Sequence, residues 1–120
     1  MYRVKKTMSV SACHRISFAG GTQTEPLHGH NWKITVYCAA KELDADGMVV
    51  DFLDIERRIC GVLDHGDLNE LLPFNPTTEN LARWICEQVP QCYKVEVEES
   101  PGNEASYEKN DMPDLIGHLL

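Results

Sequence analysis

The sequence predicts an α+β domain built on a mainly antiparallel sheet, with helices between two pairs of strands. Three observations predict it. Two long stretches, 2–14 and 28–40, alternate apolar and polar residues with the period of a strand. Two later stretches, 52–63 and 78–89, space their apolar residues at the helical period. The stretch 93–98 returns to alternation, and 105–108 follows it after a turn, so the order is strand, strand, helix, helix, strand, strand.

In the first strand Val4, Met8, Val10 and Ala12 alternate with polar residues. On that phase His14 shares a face with Val10 and Ala12, and Cys13 points the other way. Residues 15–26 contain Gly20-Gly21 and end at Pro26, which reads as an irregular loop long enough to carry function. In the second strand Trp32, Ile34, Val36 and Cys38 share a phase, and His28 and His30 belong to it. Residues 42–47 form a turn closed by Asp46-Gly47, and Met48-Val49-Val50 reads as a short extended piece.

The first helix takes Asp51 as N-cap and presents Phe52, Ile55, Ile59, Val62 and Leu63. Residues 64–69 read as a polar loop, and Pro73 to Pro76 as a break. Thr77 or Thr78 caps the second helix, whose apolar face is Leu81, Trp84, Ile85 and Val89. The third strand places Tyr93, Val95 and Val97 on one face. Residues 100–104 turn into the fourth strand, and 110–120 read as a tail. Residues 1–120 thus read as a single domain. A four-stranded sheet has two edges that need pairing or covering, so oligomerisation is expected.

Composition narrows the function. The chain has 120 residues and a formal charge of −8, which argues against nucleic acid or an anionic membrane as partner. No apolar run has the length of a membrane span. The start, Met1 to Lys6, lacks the apolar stretch of a secretory signal, which points to the cytoplasm. Five cysteines without a CxxC pair argue against a disulfide framework or a zinc ribbon.

The stretch with chemical content is Leu27-His28-Gly29-His30-Asn31-Trp32. Residues two apart on a strand face the same way, so His28 and His30 aim two imidazoles at one point. Catalytic zinc sites commonly use three protein ligands and an open position. His14, in phase on the neighbouring strand, is the candidate third ligand. Glu99 shares the inward phase of Val95 and Val97, and an inward carboxylate needs a partner.

Together with these, Ser11 to Arg15, Gly47 to Phe52, Asp64-His65 through Asn69, Pro76 to Asn80 and Val97 to Ser100 resemble the 6-pyruvoyl-tetrahydropterin synthase family, which includes the 6-carboxytetrahydropterin synthases of queuosine biosynthesis. The resemblance runs over residues 3–108, in order. It implies a T-fold (tunnelling-fold) subunit, with a four-stranded antiparallel sheet and two helices between the hairpins. It also implies a homohexamer of two trimeric barrels with active sites at subunit interfaces. It implies Zn2+ on His14, His28 and His30, a catalytic Asp64-His65 pair, and a pterin ring held by Thr77, Thr78 and Glu99. The substrate it implies is a small-molecule pterin triphosphate.

One departure matters. Members making the 6-pyruvoyl or 6-carboxy product carry a cysteine shortly before the His-Gly-His motif, and Thr22 to Leu27 contain none. Glu25 stands in that region, which resembles a branch with glutamate in place of the cysteine. That branch converts 7,8-dihydroneopterin triphosphate to 6-hydroxymethyl-7,8-dihydropterin for folate synthesis. The expected chemistry is a zinc-dependent retro-aldol step with Glu25 as acid and base: a proton leaves the 2′ hydroxyl, the C1′–C2′ bond breaks, and C1′ is protonated. Two alternatives stay open: the 6-carboxytetrahydropterin or 6-pyruvoyl reaction using another residue in place of cysteine, and a catalytically silent pterin-binding homologue.

Overall fold

A computed structural model describes residues 1–109, and the expected tail at 110–120 lies outside the described residues. In chain order the elements are β1 (Tyr2–His14), β2 (Ser17–Phe18), β3 (Gln23–Thr24), β4 (His28–Ala40), α1 (Phe52–Leu63), β5 (Gly66–Asp67), α2 (Leu68–Leu71), α3 (Thr78–Gln88), β6 (Cys92–Ser100) and β7 (Asn103–Glu108). A 3-10 turn at Ala19–Gly21 joins β2 to β3.

The main sheet has the order β5-β1-β4-β6-β7. β1 and β4 pair antiparallel over their whole length, from Tyr2↔Ala40 to His14↔His28. Such a long register holds because a slip of one residue would turn every apolar side chain of the strand to solvent. One face carries the core: Met8, Val10 and Ala12 of β1, Trp32, Ile34, Val36 and Cys38 of β4, and Val95 and Val97 of β6. Ile55, Ile59 and Leu63 of α1 and Leu81, Ala82, Ile85 and Cys86 of α3 close over it. The other face carries Lys5, Thr7, Lys33, Thr35, Tyr37, Glu96 and Glu98. The alternation read from the sequence is therefore a division between a helix-covered face and a polar one.

The helix starts follow their caps. Asp51 accepts from Leu53 N–H at 2.8 Å, and Thr77 Oγ1 accepts from Asn80 N–H at 3.1 Å. Phe52 and Val62, expected on the buried face of α1, are exposed.

The antiparallel core and the α+β class stand, but the counts differ from the four strands and two helices expected. The main sheet has a fifth strand, β5, running parallel to the end of β1 through Ala12↔Gly66 and Cys13↔Asp67. Residues 64–69 are therefore not a free loop, and α2 follows as an extra helical turn. The 15–26 segment holds the small β2–β3 hairpin. Met48 to Val50 form no strand. Asp44 takes the Met48 N–H on its carboxylate and gives its own N–H to Met48 O, so the turn consumes the groups a ladder would need.

Candidate metal and pterin site

The histidines meet at one end of the β1–β4 ladder. His14 is the direct cross-strand partner of His28, and His30 is opposite Ala12. Their ring centroids lie 4.8 to 5.2 Å apart, over Trp32, whose ring meets those of His14 and His30 edge-on. One nitrogen from each ring lies within 4.8 Å of the others. Two nitrogens on one zinc lie about 3.4 Å apart, so the trio would draw in around an ion.

The surrounding groups set the tautomers. His14 Nδ1 is 2.8 Å from the Pro76 carbonyl, and His28 Nδ1 is 2.9 Å from the Pro26 carbonyl. A carbonyl only accepts, so each Nδ1 carries the proton and the neutral ring keeps its lone pair on Nε2. This is how backbone groups orient metal-binding histidines. His14 Nε2 and His30 Nε2 are buried without a hydrogen-bond partner among the described residues. Burial, foremost, holds the His30 ring below the ordinary histidine range, which keeps its lone pair free near neutrality. Two buried nitrogens lacking a partner, in a set of three, fit a divalent metal of imidazole preference.

Two carboxylates flank the trio. Glu99 Oε1 is 3.5 Å from His30 Nε2, and Glu99 Oε2 is 3.9 Å from His14 Nε2. Its position depends on a β-bulge: Glu98 pairs with Glu104 and Ser100 with Asn103, which leaves Glu99 as the extra residue. Thr78 Oγ1 donates to Glu99 Oε2 at 3.3 Å, while Thr77 turns its hydroxyl to the helix as cap. On the other side Glu25 Oε1 is 3.7 Å from His28 Nε2 and accepts from Ile16 N–H at 3.0 Å. The three histidines, Glu25, Thr78 and Glu99 are thus brought together.

Asp64 and His65 make no hydrogen bond or ion pair with these groups among the described residues. They follow α1 and pack against the outer side of β1. Asp64 Oδ1 accepts from Ser11 N–H at 2.8 Å, and His65 N–H donates to Ser11 O at 2.6 Å. These two bonds hold His65 at φ 61, where only glycine sits without cost. Its imidazole is exposed, Nδ1 lying 3.1 Å from Asp64 Oδ2. It borders a hollow that Ser11, Cys13, Gly29 and Asn31 line together with Ala12 and His30, so the hollow reaches from His65 to one of the three histidines. Cys13 Sγ reaches the Gly66 carbonyl there, on the side expected of it.

Sequence reasoning missed two asparagines. Asn69 accepts from Arg15 N–H at 2.7 Å and donates to Arg15 O at 2.9 Å. Asn75 accepts from Ser17 N–H at 2.9 Å and donates to Ser17 O at 3.0 Å. The two amides act as a surrogate strand along 15–17, and Glu25 serves the alternate residue, Ile16, from the opposite side. The only signal was an asparagine in each of two breaks between helices, too common to single out.

Comparison with known proteins gives one consistent set. The family model described as 6-pyruvoyl tetrahydropterin synthase matches residues 3–110. The chain is 29% identical to a 6-carboxy-5,6,7,8-tetrahydropterin synthase of Bacillus subtilis, over 88% of this chain and 84% of the relative. It is 36% identical to a dihydroneopterin monophosphate aldolase of Pyrococcus furiosus, over 72% of this chain and 74% of the relative. Among solved structures, the 6-pyruvoyl tetrahydropterin synthase of Caenorhabditis elegans superposes with a TM-score of 0.69 at 25% identity, covering 91% of this chain and 96% of that one.

Proposed function

The chain belongs to the 6-pyruvoyl tetrahydropterin synthase family, and from that premise we propose that it is a zinc-dependent lyase making 6-hydroxymethyl-7,8-dihydropterin from a phosphorylated 7,8-dihydroneopterin. The observation that carries this reading is Glu25 Oε1, 3.7 Å from His28 Nε2, at the place where a thiol is expected. Cys13, the neighbour of a ligand, turns to the opposite face. The Pyrococcus furiosus relative, named as an aldolase, supports carbon–carbon cleavage.

His14, His28 and His30 would hold the zinc, which when bound supplies a Lewis acid to the side-chain hydroxyls of the substrate. The chain's own groups do the rest. Glu99 accepts from the 2-amino and N3–H donors of the ring, a pairing that matches a carboxylate's two oxygens. Glu25 takes the 2′ hydroxyl proton; the C1′–C2′ bond breaks, its electrons pass into the dihydropterin ring, and C2′ leaves as an aldehyde. Glu25 then returns a proton to C1′. On this reading Asp64 and His65 serve this site from a neighbouring copy, a role that their exposed side chains leave open to them. The same reading takes the active site to lie between subunits of a hexamer.

The test is mass spectrometry of the product from dihydroneopterin triphosphate and monophosphate. A 6-hydroxymethyl product with loss of the side-chain aldehyde supports the reading. A 6-carboxy or 6-pyruvoyl product would replace it with the second one, which the Bacillus subtilis relative favours. No turnover together with tight pterin binding would favour a silent binder.

A further inference from the structure

We infer that Glu99 is a fourth, displaceable ligand of the metal centre, capping it in the substrate-free protein and released when a pterin ring binds. The inference deepens the reading above and rests on Glu99 as the ring anchor. It starts from an unfavourable contact. The His14 proton is on Nδ1, given to the Pro76 carbonyl, so Nε2 presents a lone pair. Facing it at 3.9 Å is Glu99 Oε2, also an acceptor. His30 Nε2 faces Glu99 Oε1 at 3.5 Å. Among the described residues neither buried nitrogen has a hydrogen-bond partner. At His14 an acceptor faces an acceptor, and His30 adds a second unpartnered buried nitrogen beside the same carboxylate, an arrangement that is costly unless a positive centre lies among them. A divalent metal shared by the two nitrogens and the carboxylate removes that cost.

The local structure supports a ligand that can move. Glu99 sits on a bulge, so no cross-strand neighbour pins it. Thr78 Oγ1, in the first turn of α3, donates to Oε2 at 3.3 Å and is its single side-chain hydrogen bond among the described residues. Both carboxylate oxygens are needed to pair with the 2-amino and N3–H groups of a pterin. One carboxylate cannot hold that ring edge and cap the metal with the same oxygens. Ring binding therefore frees a metal position, and a diol without a pterin ring meets a capped centre. The ligand class selected is a pterin bearing vicinal side-chain hydroxyls, with ring recognition preceding hydroxyl access to the metal.

The experiment uses the full chain loaded with Co2+ and pterin, a ring without side-chain hydroxyls. Pterin should shift the visible Co2+ bands of the wild type. In Glu99→Gln the bands should already be shifted and pterin should leave them unchanged. Zn2+ affinity, by chelator competition, should fall by about ten- to a hundredfold in Glu99→Gln and again in Glu99→Ala. Wild-type affinity and spectrum in both variants would overturn the inference. Pterin binding to metal-free protein, read by fluorescence quenching, separates the premise. If Glu99→Gln binds pterin normally, the ring-anchor reading fails, and the displacement with it, whatever the metal result.

Discussion

Glu25 is the residue on which the choice of reaction turns. Glu25→Gln keeps the acceptor oxygen for the Ile16 N–H but removes the base. Turnover is expected to fall by about a hundredfold or more, with metal content unchanged by elemental analysis. Wild-type turnover in Glu25→Gln would end the assignment. His14→Ala, by contrast, should lose the metal itself. At Asp64 the prediction concerns pH. The Ser11 N–H, first, and then the charge of neighbouring His65 hold its carboxyl below the usual carboxylate range. A carboxylate with a lower pKa folded than unfolded contributes stability above the unfolded value, about 4, and loses it as pH falls through the folded value. The urea midpoint gap between wild type and Asp64→Asn should therefore narrow from pH 5 downward. A gap that stays constant to pH 2 contradicts it.

The elements were legible to different degrees. The bounds of β1, β4 and α1 follow directly from periodicity, because residue alternation and the Asp51 cap are local properties. β5 and the β2–β3 hairpin were not legible. Two-residue strands carry no period, and they exist because β1 and the asparagine amides offer partners from distant parts of the chain. The pairing of Asn75 with Ser17 gives the element-scale prediction. Asn75→Ala removes both bonds to that backbone. Amides of residues 16–25 should exchange faster with solvent, and kcat should fall more than KM rises, since Glu25 lies at the far end of the clamped segment. Unchanged exchange in 16–25 would show that the clamp does not hold the loop. Thr77→Ala, removing the α3 cap, should cost about 1 kcal/mol in urea unfolding.

On the scale of the whole molecule, the subunit is divided by its sheet. The histidine trio lies on the helix-covered side of one end, and Asp64-His65 lies at the β1 edge of the sheet, bonded to the Ser11 backbone. Among the described residues the sheet ends at β7 on one side and at the short β5 on the other. If active sites lie between copies, Glu25→Gln and His65→Ala damage different halves of one site. Each variant alone should be inactive. Mixed oligomers should regain activity, because some interfaces then join two intact halves. A chain that stays monomeric by light scattering, or mixtures that recover nothing, would rule this arrangement out. The T-fold resemblance stands at this scale, since the Caenorhabditis elegans pterin synthase superposes along nearly the whole chain.

The sequence by itself determined the shared face of His28 and His30, the phase of His14, the two main helices with their caps, and the absence of a thiol before the motif. Each depends on neighbours a few residues away, where strand and helix periods dictate direction. The tertiary structure alone decided that His14 stands directly across from His28, through the β1–β4 register. It also decided that Glu99 meets two histidines from the bulge in β6, that Asn69 and Asn75 clamp the loop carrying Glu25, and that Asp64-His65 is tied to the Ser11 backbone. Those relations join residues tens of positions apart. They are set by how strands register and helices pack over the whole sheet, for which no local pattern in the chain is a proxy.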